Sequence, residues 1–535
     1  MNKKLSIYLP LLLSGILIFG ILIGREIAVN SVSKSPGGFF IYPKTDKFNN
    51  VLKYIEEEYV DTVLPNKLTE DAIINVLKDL DPHSVYIPAN ELQQVNEPLE
   101  GNFSGIGVQF NMQNDTVVII NAISNGPSAL IGIMPGDRII KVNDTLVAGV
   151  KLSSEVIVKK LKGPKGSKVK VTIKRPGNKK ELVYEIIRNK IPLYSIDVSY
   201  MINKTTAYIK ISQFSRTTND EFLKAIEKLR PQGLKNIILD LRDNGGGYLD
   251  AAIDIANQFL SEGKLIVYTK GRTKPRENFY ATAQGLCQHD SVIVLIDEFS
   301  ASASEILTGA IQDNDRGIIV GRRSFGKGLV QEQTTFSDGS ALRLTVARYY
   351  TPSGRCIQKP YARGIEDYYK DINYRYLHGE FESKDSIHFN DTLKFKTPGG
   401  KVVYGGGGIM PDVFVPLDTI GFTNYYAEIR DQGLMYRFAF EYSDRNRHKL
   451  NNFKDYKDLL AYLNKQKLLD EFVTYASKKG IKQNKKDIEI SKNIIVIQLK
   501  GYIIRNFFNN EGYFPAMENI DNTLQKALSL LSDRG

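Results

Sequence analysis

One serine of this chain stands where chemistry on a carbonyl group could take place. The stretch FSASASEI at 299–306 follows an apolar run and opens a helical pattern. The start of a helix offers free main-chain N–H groups and the positive end of the helix dipole. Ser302 could there attack a carbonyl carbon while neighbouring amides stabilise the oxyanion. A serine-rich N-cap without a catalytic role also explains this stretch when it is taken alone.

A serine nucleophile needs a group that accepts its proton. The histidines are His83, His289, His378, His388 and His448. None lies near a second glycine-rich motif, and the sequence has no G-x-S-x-G elbow. Lys327, flanked by glycines in SFGKGLVQ at 324–331, is the better candidate. Burial can bring the pKa of a lysine, ordinarily about 10.4, close to neutral pH, which leaves an amine able to act as the base.

Two glycine patterns suggest nucleotides at first sight. Residues 321–327 imitate a P-loop, but Gly328 stands where a Ser or Thr would bind magnesium. Gly105 and Gly107 do not form a dinucleotide fingerprint, because Phe110 replaces the third glycine. The sequence also lacks the metal-binding spacings C-x-x-C and H-E-x-x-H. We therefore expect neither a cofactor nor a metal.

A third glycine cluster, DLRDNGGG at 240–247, follows another apolar run. Its bare backbone could donate N–H groups to an oxyanion or pair with a substrate strand, and a tight turn would also explain it. Apolar runs predict strands at 236–241, 292–296 and 318–320, and helical patterns follow at 249–259 and 304–312. This alternation indicates an α/β core with the three clusters at strand ends.

The segments around this core differ from it in pattern. Residues 46–96 read as helical, including a second helix at 69–80 that Thr69 would cap. The stretch 355–400 is predicted to be an irregular, tyrosine-rich insertion, and 421–535 to be mostly helical. We expect the helices at 46–96 to serve packing or dimer formation. The sequence assigns no function to 355–400 or 421–535, and it does not tell whether the helices at 46–96 or 421–535 form a homodimer or a higher oligomer.

Taken in order, the three clusters resemble those of the carboxyl-terminal processing (tail-specific) peptidases, whose core belongs to the Clp protease/crotonase superfamily. The resemblance covers about 46–420 and includes LDPHS at 80–84 and GGGIMPD at 406–412. It implies an α/β (α+β) multidomain protein with a Clp protease/crotonase-like core, an inserted PDZ domain and flanking helical segments. Together with the patterns outside this range, it divides the chain into a membrane anchor (1–24), a linker (25–45), a helical segment (46–96), a PDZ domain (97–190), the protease core (191–420, with the insertion 355–400) and a helical extension (421–535).

The same resemblance implies roles for individual residues. Ser302 would be the nucleophile, Lys327 the general base, and Gln331 a partner that orients the lysine amine. The implied supporting groups are Ala303 and Gly246, through their amides at the oxyanion, with Glu305 and Asp313 near the dyad. In the PDZ domain, the carboxylate-binding loop would consist of Gly105, Ile106, Gly107 and Val108. Its N–H groups would hold a peptide C-terminus, and the peptide would add as a strand beside the helix at 153–161.

Charge and hydropathy bear on the partners. Much of the formal net charge of +11 lies in 151–190, which contain thirteen basic and three acidic residues. Such a segment can attract nucleic acid, anionic lipid or a peptide carboxylate, or it can be a solvated lysine-rich surface. Lys3 and Lys4 precede an uncharged run at 5–24, about the ~20 residues that span a bilayer. We expect an uncleaved anchor with its N-terminus in the cytoplasm and a catalytic body exported to the periplasm; a cleaved signal peptide is the alternative.

The sequence therefore predicts a PDZ-gated serine endopeptidase that recognises the C-termini of exported proteins. Its partners would be protein or peptide substrates with accessible C-termini and a membrane, and not nucleic acid. One alternative is a non-catalytic PDZ scaffold or regulator of envelope proteolysis. Another is an acyl-CoA enzyme on the related crotonase-type core, which the anchor and the PDZ segment disfavour. Cys287 and Cys356 could form one disulfide or remain free thiols.

Overall fold

The computed structural model describes residues 14, 17, 18, 20, 21, 47–123, 125–388 and 390–532. The predicted anchor at 1–24, apart from five isolated residues, and the linker at 25–45 lie outside the described residues. No helix within the described ranges is long and apolar enough to cross a bilayer. The chain divides into two compact units, 1–73 and 74–535.

The first helices are Lys47–Glu58 and Pro65–Lys78. The prediction that the second begins with Thr69 as its cap is wrong. Proline suits the first turn of a helix because it lacks the N–H that would be unpaired there. Thr69 is therefore an interior residue, and its hydroxyl donates to the Pro65 carbonyl over 3.0 Å.

A largely parallel sheet forms the core. Its strands, in spatial order, are Ile196–Met201, Thr206–Ile211, Asn236–Asp240, Ser291–Ile296, Ile318–Gly321 and Val413–Phe414. The first pair is antiparallel and the others are parallel. The helices Thr218–Leu229, Leu249–Phe259 and Ala303–Asp313 pack on one face, for example through Phe222, Ile255 and Leu307. The predicted α/β core is confirmed.

The opposite face of this central sheet is covered by the end of the chain. Leu524 and Ala527, on the helix Asn522–Ser532, pack against Ile238 and Ile293. The Arg242 guanidinium fixes this cover, because it lies 2.6 Å from carboxylate oxygens of both Asp240 and Asp521. The extension was predicted to be helical, and its helices are Asn424–Asp431, Leu434–Arg445, Arg447–Leu450, Tyr456–Leu463, Leu468–Lys478, Lys485–Met517 and Asn522–Ser532.

An outer antiparallel sheet brings distant segments to the core. Its strands are Val85–Ile87, Ala341–Tyr350, Leu265–Lys270 and Glu277–Tyr280 in that order, with Leu329–Thr335 also paired to Ala341–Tyr350. The strand Val85–Ile87 and the helix Ala89–Glu100 after it correct the all-helical prediction for 46–96. The insertion at 355–400 is also more regular than predicted, since it contains the helix Ile365–Leu377 and the strand Lys394–Lys396, which pairs with Val402–Tyr404.

Residues between 102 and 192 form a small β domain. Its strands are Asn102–Gly105, Val108–Gln113, Thr116–Ala122, Arg138–Val142, Thr145–Leu146, Lys168–Lys174, Leu182–Ile187 and Asn189–Pro192. The helix Ser154–Leu161 begins where predicted, and the hydroxyl of Ser153 caps it by accepting from the Val156 N–H. A second, short helix spans Pro127–Leu130.

This small domain rests on the helical extension. Successive residues of the strand Thr116–Ala122 point to opposite sides. Val117 and Ile119 belong to the domain's own core, whereas Val118 and Ile120 are buried against Phe440 of the extension. Beside this apolar contact, Arg138 and Asp444 form an ion pair of 2.5 Å.

We expect Phe440→Ala to weaken the contact between the strand Thr116–Ala122 and the helical extension, because truncating a buried Phe costs about 3–5 kcal/mol of stability. Hydrogen exchange should rise in peptides that contain 116–122 and 434–445, and stay unchanged across 291–313. Phe422→Ala, which truncates a phenylalanine of the same extension that is 42% exposed, is the matched control. Equal hydrogen exchange in the two variants would contradict a stabilising contact between Phe440 and the strand Thr116–Ala122.

Candidate active site

The backbone at Ser302 is held in a strained conformation. Ser302 precedes the helix Ala303–Asp313 with φ 55° and ψ −112°, a region that non-glycine residues seldom occupy. The turn is pinned to the third glycine cluster, because the Ala301 N–H and the Ser304 hydroxyl both donate to the Asn244 carbonyl over 2.9 Å. A Cβ at Gly246 would lie 2.8 Å from the Ser302 Cβ, so only glycine fits there.

The buried carboxylate of Glu305 joins the two predicted catalytic residues. Its Oε2 accepts from the main-chain N–H groups of Ser302 and Lys327, each over 2.9 Å. Its Oε1 accepts from the Gly326 N–H over 2.7 Å and from the Ser324 hydroxyl over 2.5 Å. The loops that contain Ser302 and Lys327 are therefore both bound to the side chain of Glu305, which has no exposed surface.

Tyr349 ties the same two loops together from another direction. Its hydroxyl donates to the carbonyl of Lys327 over 2.5 Å, and the hydroxyl oxygen lies 3.2 Å from the carbonyl oxygen of Ser302. This tyrosine is buried on the outer sheet. Sequence reasoning missed it, since nothing in its neighbourhood along the chain marks it as part of a site.

The surroundings of Lys327 favour its neutral form. Burial lowers the pKa of the half-buried lysine to about 8, and the positive charge of Arg343 acts in the same direction. The charges of Glu305 and Asp81 oppose this shift. Burial also raises the pKa of Glu305 to about 7. A lysine with a pKa near 8 can accept a proton in mildly alkaline solution, as a general base requires.

The two main-chain amides predicted to bind the oxyanion, those of Ala303 and Gly246, differ in whether they already donate a hydrogen bond. No acceptor for the Ala303 N–H is found among the described hydrogen bonds. The Gly246 N–H instead donates to the side-chain oxygen of Asn244 over 2.9 Å. The other end of that amide is fixed, because Asn244 Nδ2 donates to the Ile211 carbonyl over 2.8 Å. An oxyanion at Gly246 would therefore have to displace Asn244.

The other two predicted supporting residues, Gln331 and Asp313, make no described hydrogen bond to Ser302 or Lys327. The Gln331 side chain donates to the Thr345 hydroxyl over 3.2 Å, and no hydrogen bond from it to Lys327 occurs in the described part of the chain. Asp313 is not near the dyad. It ends the helix that Ser302 begins, about 15 Å away at ~1.5 Å per residue, and it pairs with buried Arg355 over 2.7 Å.

The segment 80–84 supplies polar groups next to the dyad. Asp81 accepts from the Ser84 hydroxyl over 2.5 Å and from the Thr345 hydroxyl over 3.0 Å. His83 Nε2 lies 3.0 Å from the Tyr368 hydroxyl, and burial together with the nearby charge of Lys327 lowers the pKa of His83 to about 4. The sequence marks this segment only through the family resemblance and does not assign it to the site.

A groove in the small β domain fits the predicted peptide site. Its volume is about 120 Å³, and its lining residues are Phe103, Gly105, Ile106, Gly107, Val108, Phe110, Val158, Leu161 and Lys162. The loop is held from below, because the Ser128 N–H and hydroxyl both donate to the Ile106 carbonyl, over 3.1 and 2.6 Å. At the rim, the Lys162 ammonium pairs with Glu97 over 2.6 Å.

The described ranges contain neither a metal-binding cluster nor a disulfide. They contain no group of three or more His, Cys, Asp and Glu side chains placed to hold a metal ion. Cys287 and Cys356 are free thiols. Burial raises the pKa of Cys287 to about 12, so this thiol stays protonated and unreactive near neutral pH.

Comparison with known proteins gives the following matches. A model of peptidase family S41 matches residues 205–370, a PDZ domain model matches 104–186, and a family of unknown function matches 425–509. The carboxy-terminal-processing protease of Bartonella bacilliformis is 37% identical over 322 residues, which are 59% of this chain and 73% of that protein. The carboxy-terminal processing protease CtpB of Bacillus subtilis is 35% identical over 324 residues, 60% of this chain and 66% of that protein. The solved photosystem II D1 C-terminal processing protease is 25% identical, with 68% of this chain and 86% of that one covered and a TM-score of 0.35.

Proposed function

Because this chain belongs to the carboxy-terminal-processing proteases, serine-type peptidases with a PDZ domain, we propose that it cleaves proteins with a Ser302–Lys327 dyad. The observation that carries this proposal is the single carboxylate oxygen of Glu305 that binds the main-chain amides of both residues. The serine turn and the lysine loop are thereby adjacent and oriented before any substrate binds.

The reaction is acyl transfer. The neutral amine of Lys327 takes the proton of the Ser302 hydroxyl while the oxygen attacks the substrate carbonyl carbon. The Ala303 N–H stabilises the oxyanion. Lys327 then gives its proton to the leaving amine, and the peptide bond breaks. A water molecule, deprotonated by the same lysine, hydrolyses the acyl-enzyme and restores Ser302.

The PDZ domain selects the substrate by its C-terminus in this proposal. Consecutive N–H groups of the loop at 105–108 would hold the terminal carboxylate, and the apolar walls formed by Phe103, Phe110 and Leu161 would hold the last side chain. Its substrates would be exported proteins, because Lys3, Lys4 and the uncharged run 5–24 suit an anchor that leaves the catalytic body in the periplasm.

The proposal is tested with the full-length chain and two unfolded reporter proteins that differ only at the C-terminus. One ends in three apolar residues and the other in two aspartates. We expect cleavage of the apolar-ended reporter to be at least about tenfold faster, since a charged end loses more than ~1.4 kcal/mol of binding in an apolar groove. Ser302→Ala should bind the first reporter and cleave neither.

Each opposite result would remove one part of the proposal. Equal cleavage of both reporters would contradict recognition of the C-terminus. Cleavage that persists in Ser302→Ala would contradict the dyad. Binding without cleavage by the unaltered chain would instead support the non-catalytic scaffold.

A further inference from the structure

A chain of hydrogen bonds connects the segment 80–84 to Gln331. Gln331 and Thr345 are neighbours across paired strands of the outer sheet. Gln331 Nε2 donates to Thr345 Oγ1 over 3.2 Å, and Thr345 Oγ1 donates to Asp81 Oδ1 over 3.0 Å. Asp81 is buried and lies 264 positions before Thr345.

The far end of this chain is rigid. Asp81 Oδ1 also accepts from the N–H groups of His83 and Ser84, over 2.8 and 3.0 Å. The Ser84 hydroxyl donates to Asp81 Oδ2 over 2.5 Å and accepts from the Thr345 N–H over 3.1 Å. Thr345 is therefore bound to this segment at its main chain and at its side chain, and its hydroxyl has little freedom to turn.

The polarity of the chain decides how the Gln331 amide points. A hydroxyl has one proton, and that of Thr345 is given to the carboxylate of Asp81. Its oxygen can then only accept, so the end of Gln331 that faces it must be the NH₂ group. The carbonyl oxygen Oε1 of Gln331 is the other end, and the described hydrogen bonds include no donor to it.

We propose that Asp81 and Thr345 are positioning residues that turn the Gln331 carbonyl oxygen toward the Lys327 amine. This inference rests on the proposed dyad. A neutral amine has two N–H donors and one lone pair. When one N–H is held by the Gln331 carbonyl, the lone pair has a fixed direction and can face the Ser302 hydroxyl. A flipped amide would set its NH₂ group against the N–H donors of the lysine.

The charged and titratable groups that act on Lys327 come from several elements. They are Glu305 on the helix after Ser302, Arg343 on the outer sheet, and Asp81 and His83 in the segment 80–84. The charge of Asp81, like that of Glu305, favours the protonated lysine, and Asp81 also accepts a hydrogen bond from Thr345. Asp81 thus has two separable effects on the base, one through its charge and one through its hydrogen bond.

The test compares Thr345→Val with Thr345→Ser in the full-length chain, with the apolar-ended reporter as substrate. Valine keeps the shape and removes the hydroxyl, so we expect kcat to fall about 10- to 100-fold, part of the ~10²–10⁴ that a general base supplies, with KM unchanged. Serine restores the hydroxyl and should recover most of kcat. In a background of Gln331→Leu, Thr345→Val should cause no further loss of kcat, because both changes break the same series of hydrogen bonds.

Asp81→Asn supplies a readout that a purely structural role would not move. Asparagine can still accept from Thr345, but it removes a negative charge that raises the pKa of Lys327. The rising limb of the pH–rate profile should therefore shift to lower pH. Thr345→Val with full kcat, Thr345→Ser as impaired as valine, or additive losses with Gln331→Leu would each overturn the positioning role. None of these results would affect the dyad, which Ser302→Ala tests separately.

Discussion

Lys327→Met is expected to lower kcat by about 10⁴-fold or more while the chain remains folded, because methionine keeps the apolar stem and lacks a lone pair for the Ser302 proton. The measurement is kcat on the apolar-ended reporter, with thermal unfolding recorded in parallel. Lys274→Met is the matched control, since Lys274 is an exposed lysine of the outer sheet region whose ammonium pairs with Glu332 over 2.9 Å. It should keep kcat within about twofold of the unaltered chain.

The same role fixes the sign of the pH dependence in the unaltered enzyme. Burial lowers the pKa of Lys327 to about 8, so below that pH the protonated lysine cannot accept the serine proton. The rate of peptide cleavage should therefore rise with pH, with a midpoint near 8 rather than near the ordinary lysine value of about 10.4. A rate that is flat across this range, or a methionine variant with appreciable activity, would remove Lys327 from the role of base.

The sequence contained enough to predict the core and to propose the dyad. Continuous apolar runs are typical of buried parallel strands, and each of the three motif clusters follows such a strand. The clusters therefore lie at the edge of the sheet where the carboxyl ends of the parallel strands meet. The pair Ser302 and Glu305 also has the spacing of a capping box, so the contact between them was readable from local sequence. That Glu305 also binds the Lys327 amide required the fold.

What the sequence did not indicate depends on contacts between distant positions. Asp81 and Thr345 meet only because the strand Val85–Ile87 pairs with Ala341–Tyr350. The wrong placement of Asp313 has a different cause. Residues 305 and 313 are eight apart, which puts them on related faces of a helix but separates them by about 12 Å along its axis. The family resemblance alone placed Asp313 near the dyad, and the length of the helix separates it from Ser302.

The helical extension could be read only in part. Its periodicity predicted helices, but amphipathic helices do not name the surface that they cover. The sequence nevertheless indicated one of these surfaces. Strands that are apolar on both faces, as in the central sheet, need other elements packed on each side. The helix Asn522–Ser532 provides that cover, and Phe440 provides another on Val118 and Ile120. The extension thus packs on both the catalytic core and the PDZ domain.

Glu305→Ala is expected to lower both stability and activity. Removal of this carboxylate leaves the buried N–H groups of Ser302, Gly326 and Lys327 without their acceptor. We expect the free energy of unfolding to fall by about 3–5 kcal/mol, because each buried donor left without an acceptor costs about 1–3 kcal/mol. The kcat of the folded fraction should fall about 10³-fold or more, because the serine turn and the lysine loop lose their shared attachment.

A second buried carboxylate separates these two losses. Asp290 pairs with Arg230 over 2.6 Å at the opposite end of the strand that leads to Ser302, so Asp290→Ala also destabilises the core. It touches neither catalytic loop, and the folded fraction should therefore keep its kcat. Denaturant titration gives the folded fraction of each variant, and kcat is then compared per folded molecule. If Glu305→Ala retained kcat on that basis, the carboxylate would be a stabilising group alone, and the adjacency of Ser302 and Lys327 would have to arise from Tyr349 and the sheet.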